Sequence, residues 1–226
     1  MNEIRLNGLN ILRFDWDFIA SHMYVIRDKN DALIVDPVDT DEVRNYITNE
    51  NVRSCTVLLT HEHYDHISGV ELLRDFCVCN VICSRICADN IRSSRKNHSD
   101  KADVIGIFNS ALPTQHIEPF VCEADTFFDD RMQFIWHGHE ISIFATPGHS
   151  EGSVCIVLDG EYMFSGDTLL DVPTITRLPG GNRNDFMTVS LPKLRELRFC
   201  VKRVFPGHGE TASLDELLRK YDKQHT

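Results

Sequence analysis

Absences set the first limits on this chain. No run approaches the length of about 18 apolar residues that a membrane-spanning helix needs, so no membrane partner is expected. The start, Met1-Asn2-Glu3-Ile4-Arg5-Leu6, lacks the apolar core of a secretory leader, and a cytoplasmic location is the expectation. No linker rich in Pro, Gly or Ser and no low-complexity tract interrupts the 226 residues, so one domain spanning 1–226 is expected. Positive charge is scarce, with 23 Lys and Arg against 34 Asp and Glu, and the formal charge of -11 argues against a general nucleic-acid binder.

The eight cysteines include no C-x-x-C pair. They fall mostly inside apolar runs, as reduced core thiols do. Cys77, Cys79, Cys83 and Cys87 cluster locally, which leaves a zinc or iron-sulfur site as the rival reading. Basic residues crowd one segment, with Arg85, Arg92, Arg95, Lys96 and Lys101 partly offset by Asp89, Asp100 and Asp103. That segment reads as a solvated face, or as a basic lid that steers an anionic small molecule.

What the chain does have is Thr60-His61-Glu62-His63-Tyr64-Asp65-His66. It follows a strand-like run, Cys55-Thr56-Val57-Leu58-Leu59, and precedes a helical pattern from Ile67, which places it on the turn leaving a strand. Imidazole and carboxylate are good ligands for zinc and similar divalent ions. Side chains alternate with period two in extended chain, so His61 and His63 can point the same way, while Asp65 and His66 lie past the bend and can face a second ion.

The rest reads as alternating strands and helices. A hairpin is expected over Ile4–Phe14 around Asn7-Gly8, then strands at 22–26 and 32–35, a helix over 40–49, and a helix from the His-rich loop to about Asp75. A strand over 78–83, a helix over 84–91 and a stretch of loop and short helix at 93–116 follow. The second half predicts strands near 117–122, 134–136, 140–146, 154–158, 162–164 and 201–205, with helices over about 185–198 and 214–221. His137 and His139, on a hairpin turn, and His22, beside a strand, are left outside the site.

Four further stretches give the His-rich loop its context: Val35-Asp36-Pro37, Thr146-Pro147-Gly148-His149-Ser150, Ser165-Gly166-Asp167-Thr168 and Pro206-Gly207-His208-Gly209. This ordered series resembles the motifs of the metallo-β-lactamase fold hydrolases over nearly the whole chain. The resemblance implies an α/β fold (α+β by some schemes), a four-layer αββα sandwich. It implies that His61, His63 and His149 hold one divalent ion, that Asp65, His66 and His208 hold another, and that Asp167 bridges them. Zinc is the first expectation for both ions, with iron or manganese as the alternatives. Asp36 is implied to support the metal centre by accepting a hydrogen bond from a ligand region, although a plain turn aspartate reads the same way.

Asp167, with Asp65-His66, looks like the thioesterase and lactonase branches. Ser165-Gly166-Asp167-Thr168-Leu169 and Leu178-Pro179-Gly180-Gly181 are most similar to glyoxalase II (hydroxyacylglutathione hydrolase), which often carries a C-terminal helical extension with cationic glutathione contacts. Only 18 residues follow His208, so the expectation is either a different thioester or ester or glutathione held by the basic segment at 85–101. The expected activity is hydrolysis of a thioester or ester of an anionic small molecule by a hydroxide shared between two ions, with Asp65 also handing on a proton. A lactonase or phosphodiesterase is the alternative, with Tyr64 or the loop at Arg177 orienting substrate. A third reading is a mononuclear iron oxygenase resembling persulfide dioxygenases, with His61, His149 and Asp167 as ligands.

Overall fold

The computed structural model describes residues 1–6, 8–102, 116–172 and 174–224. Its contacts divide the chain into two compact units, the first comprising Met1–Cys83 and Ala88–Phe127, the second Ser84–Cys87 and Phe128–Thr226.

Unit 1 is built on a seven-stranded sheet in sequential order. The strands are β1 (Asn2–Leu6), β2 (Leu9–Trp16), β3 (Ser21–Asp28), β4 (Asp31–Val35), β5 (Ser54–Leu58), β6 (Val78–Ser84) and β7 (Thr126–Phe128). The first four form the expected antiparallel meander, while β4, β5 and β6 run parallel. Parallel neighbours need crossovers, and helices supply them. The first crossover is α1 (Asp41–Asn49), capped by the Thr40 hydroxyl, which accepts from the Val43 N–H. It buries Val43 and Ile47, which lie four apart on one helical face.

The second crossover departs from expectation. Instead of one helix to Asp75, a single turn, α2 (Tyr64–Ile67), is followed by α3 (Val70–Phe76). Gly69 breaks them where the chain passes close to the loop after β4: a Cβ here would lie 2.7 Å from the Val38 carbonyl carbon. Its N–H donates to the Pro37 carbonyl at 2.9 Å. After β6 comes α4 (Arg85–Asn90). Of the stretch 93–116, residues 103–115 lie outside the described residues; Ser99–Lys101 forms one short 3-10 turn.

The strand expected at 117–122 is not formed, and β7 lies further along. Pro119 has no N–H to offer a ladder. The backbone there bonds to side chains instead: the Phe120 carbonyl accepts from Asn97 and Ser99, and the Phe120 N–H donates to the Ser99 hydroxyl.

Unit 2 holds a five-stranded sheet of β8 (Arg131–Trp136), β9 (His139–Ala145), β10 (Val154–Leu158), β11 (Tyr162–Gly166) and β12 (Arg203–Pro206), ordered β12-β11-β10-β9-β8. Only the β11–β12 pair is parallel. β10 and β11 are buried at every position, so they read as continuous apolar runs. The helix expected over 185–198 is present but uneven. Arg183–Asp185 opens it, Phe186–Ser190 widens into a π-turn, α5 (Leu191–Glu196) follows, and Leu197–Phe199 closes it as a 3-10 turn. Pro192 explains the widening, because it cannot donate to the carbonyl one turn back and its ring crowds that position. Leu191 and Leu194 pack with Phe186 and with Leu214, Leu217 and Leu218 of α6 (Leu214–Gln224) in one core cluster. Burial of each such side chain is worth about 1.5–3 kcal/mol. Among the described residues no helix is long and apolar enough to cross a membrane.

Candidate metal centre

In unit 1 the chain leaves β5 and turns sharply through His61–His66, all six residues buried. Backbone and side-chain bonds fix the turn. The Tyr64 N–H donates to the Asn97 carbonyl at 2.8 Å, the Ser21 hydroxyl to the Asp65 carbonyl at 2.9 Å, and Asn90 Nδ2 to buried Glu62 Oε1 at 3.0 Å. Ring centroids lie 4.6 Å apart for His61 and His63 and 4.2 Å apart for His61 and His66. His63 also stacks on His98 at 4.5 Å.

Asp36 anchors this loop from the end of β4. It is 2% exposed and has φ +52°, a left-handed backbone that aspartate tolerates better than most residues. Its Oδ1 accepts from the Thr60 N–H at 2.7 Å and its Oδ2 from the Thr60 hydroxyl at 2.6 Å. The same Oδ2 lies 3.0 Å from His66 Nδ1, and the Thr60 oxygen lies 3.0 Å from His61 Nδ1. Since the Thr60 proton goes to Asp36, its oxygen accepts from His61. Both imidazoles are therefore assigned the Nδ1–H tautomer, which puts the lone pair on Nε2.

Unit 2 presents three ligand-type residues from three strand exits. β9 ends before Thr146-Pro147-Gly148-His149, and His149 Nδ1 donates to the Ile175 carbonyl at 2.9 Å, so its lone pair is also on Nε2. Gly148 is required there: φ is +144°, and a Cβ would come 2.5 Å from the Phe186 Cβ. β11 and β12 are parallel with Gly166 opposite Pro206, and the Gly207 N–H donates to the Gly166 carbonyl at 2.9 Å. That register brings Asp167 and His208 side by side. Asp167 Oδ2 lies 3.5 Å from His149 Nε2 and 3.5 Å from His208 Nε2.

The fit to a cation can be judged from these separations. Two ligands bound tetrahedrally at about 2.1 Å stand roughly 3.4 Å apart. The Asp167 contacts match this spacing, as does the 3.3 Å between Asp65 Oδ2 and His66 Nε2 in unit 1. Donor atoms of Asp36, His61 and His66 also lie within 4.8 Å of one another.

Other expected residues fall as follows. Tyr64 is buried edge-on to Trp16, and its hydroxyl has no hydrogen-bond partner among the described residues. Burial, with the Asp65 charge adding to it, pushes its phenol well above the ordinary value, so it stays protonated. Arg177 is exposed and lines a groove in unit 2 with Thr174, Ile175, Thr176, Arg183 and Phe186. Arg183 was not singled out in the sequence. The signal lay in the Asn182 cap, whose side chain accepts from the backbone of residues 184 and 185 and starts a helix beside the 176–182 loop. His137 is exposed, and His139 sits 2.7 Å from Asp159. Two members of the basic segment face acids, Arg85 with Asp129 at 2.7 Å and Arg92 with Glu123 at 3.8 Å.

The cysteine reading needs correction. Cys83 and Cys87 are buried as expected, but Cys77 and Cys79 are only half-buried and meet Cys55, not Cys83 and Cys87. The reason is register. Cys55 on β5 is the direct cross-strand neighbour of Cys79 on β6, a relation that spacing along the chain does not show.

Imidazole and carboxylate donors at ligand spacing, set on strand exits of mixed sheets, define a protein built to bind divalent cations. The metallo-β-lactamase superfamily profile matches residues 16–208, and the chain belongs to that superfamily, whose members are mostly metal-dependent hydrolases. The chain is 27% identical over 152 residues to a hydroxyacylglutathione hydrolase of Aeromonas hydrophila, a match covering 67% of this chain and 48% of that protein. It thus spans about half the length of that relative. It is 30% identical over 200 residues to a probable metallo-hydrolase of Streptococcus pyogenes serotype M6, covering 84% of this chain and 79% of the relative. Among solved structures, the BLEG-1 B3 metallo-β-lactamase aligns with TM-score 0.73 and 24% identity over 91% of this chain and 95% of its own, a likeness of fold.

Proposed function

We propose that the chain is a dinuclear metal-dependent hydrolase of thioesters or esters, similar in chemistry to the hydroxyacylglutathione hydrolases it resembles. Residues 1–226 then act as one catalytic domain. His61, His63 and His149 serve one cation, Asp65, His66 and His208 the other, and Asp167 both. The observation that carries this reading is the Asp167 carboxylate, whose single oxygen Oδ2 stands at ligand spacing from two imidazoles.

Divalent ions in such a centre supply hydroxide at neutral pH and polarise an acyl oxygen. The chain's own residues do the remainder. Asp36 and Thr60 hold His66 and His61 in the tautomer that presents Nε2, and the Ile175 carbonyl does the same for His149. Asp65 is the carboxylate assigned to carry a proton during turnover. Arg177 and Arg183 line the groove beside the segment that holds His149, a position suited to an anionic acyl or thiol portion of the substrate. Tyr64 and Arg177 are the proposed substrate contacts.

Zinc is the proposed metal. The test is metal analysis of the purified chain combined with turnover of an acylated glutathione thioester, a lactone, a bis-aryl phosphate and a glutathione persulfide. About two zinc ions held by the histidine and aspartate centre and fastest turnover of the thioester are expected. One iron per chain with persulfide oxidation would overturn the proposal.

A further inference from the structure

The three sulfurs of Cys55, Cys77 and Cys79 approach one another in unit 1. Cys55 Sγ lies 2.9 Å from Cys79 Sγ and 3.5 Å from Cys77 Sγ, and Cys77 and Cys79 are 3.7 Å apart. One ligand atom from each falls within a 4.8 Å group. The convergence follows from the fold. Cys55 and Cys79 are cross-strand neighbours on parallel β5 and β6, and Cys77, in extended backbone where α3 ends, shares a face with Cys79 two residues on. We propose that Cys55, Cys77 and Cys79 form a separate cation site, offering three sulfur ligands to a thiophilic divalent ion of the zinc or cadmium type.

Three sulfurs bound at about 2.3 Å to one tetrahedral ion would be spaced about 3.8 Å apart. Two of the three separations already match, and the third opens by roughly 0.9 Å on that geometry. Cys55 is buried, whereas Cys77 and Cys79 are half-buried, so an ion can enter from solvent and keep a water as fourth ligand. The sulfurs are also prepared for ligation. Hydrogen bonds from Cys55 and then Cys79 favour the charged form of the Cys77 thiol, while bonds to Cys77 and Cys79 and burial push the Cys55 thiol up. Ion binding would release the thiol protons to solvent, so uptake should strengthen as pH rises.

The site stands apart from the histidine loop. Cys55 lies near the start of β5 and His61 lies beyond its end at Leu58, so the strand alone sets them about 10 Å apart at strand rise. An ion here would tie the end of α3 to β5 and β6, and its effect on catalysis should be small.

The reduced full chain, titrated with Cd2+ while sulfur-to-metal charge-transfer absorption is followed, tests this. Imidazole and carboxylate ligands give no such band, so the proposed hydrolytic centre does not interfere. Saturation at one sulfur-bound equivalent per chain is expected, with a loss of at least about 10-fold in affinity for Cys77→Ser and for Cys79→Ser, the scale of a weakened metal shell. Cys200→Ser, at an exposed position elsewhere, should leave the titration unchanged. Because Cys55→Ala alters a buried position, the half-buried Cys77 and Cys79 variants decide the matter. No charge-transfer band in the reduced wild-type chain, or an unaltered titration in both serine variants, would overturn the site. So would a Cys55–Cys79 cross-link whose reduction restores no Cd2+ uptake.

Discussion

In unit 1 the ligand-type residues are packed into one loop, His61 to His66, and a hydrogen-bonded chain through Thr60 and Asp36 sets the tautomers of His61 and His66. In unit 2 they are spread from 149 to 208 and are gathered by strand register: β9, β11 and β12 each end beside a sharp turn. The contrast shows two ways to fix a ligand. The first depends on a buried polar network, so it should fail through unsatisfied hydrogen bonds. The second depends on backbone geometry, so it should fail through steric clash.

The largest effect should come from Asp36→Ala. It removes the acceptor of the Thr60 N–H and hydroxyl and of His66 Nδ1, all buried. A cost of about 3 kcal/mol or more is expected from the donors left without partners. Denaturant unfolding measures this, and metal affinity should fall about 10–100-fold in the same variant. A change under 1 kcal/mol would mean that the network does not hold the loop.

Gly148→Ala should come next, at about 2–4 kcal/mol, because the new Cβ meets Phe186 and the backbone sits at φ +144°. If the contrast holds, Gly148→Ser is as damaging as Gly148→Ala, whereas in unit 1 Asp36→Asn is milder than Asp36→Ala. Thermal unfolding of the four variants compares them directly.

A smaller loss is expected for Thr60→Val, which keeps the shape of the side chain and deletes the hydroxyl between His61 and Asp36. About 1–2 kcal/mol and a metal affinity reduced by about 10-fold are the expected results, read by unfolding and by competition with a chelator. Weakest should be Arg177→Ala and Arg183→Ala, which sit on the groove and hold no ligand. Each should raise KM for an anionic thioester a few-fold with kcat nearly unchanged, as lost uniform binding does.

The same contrast explains what could be read in advance. The ligand-type residues of the loop form a contiguous motif after an apolar strand, so His61, His63, Asp65 and His66 stand out at once. The unit 2 residues could be found because each follows a strand and a Pro or Gly. Cys55 escaped notice because its partners lie across a strand pair, and pairing register is not written in local spacing. The break at Gly69 and the π-turn at Phe186–Ser190 were also missed. The first comes from a close approach to Val38 and the second from a proline inside an otherwise helical pattern. At 117–122 the apolar pattern was real, but Asn97 and Ser99 took the Phe120 backbone groups that a strand would have offered to a neighbour.

Metal stoichiometry across the two ligand sets tests the central proposal most directly. In a Cys77→Ser background, which lacks the sulfur site, the chain should carry about two zinc ions, His61→Ala and His149→Ala should each lose the same one, and Asp167→Ala should lose both, with thioester turnover falling by at least about 100-fold in every case. Independent losses, with His61→Ala and His149→Ala depleting different ions, would contradict the account.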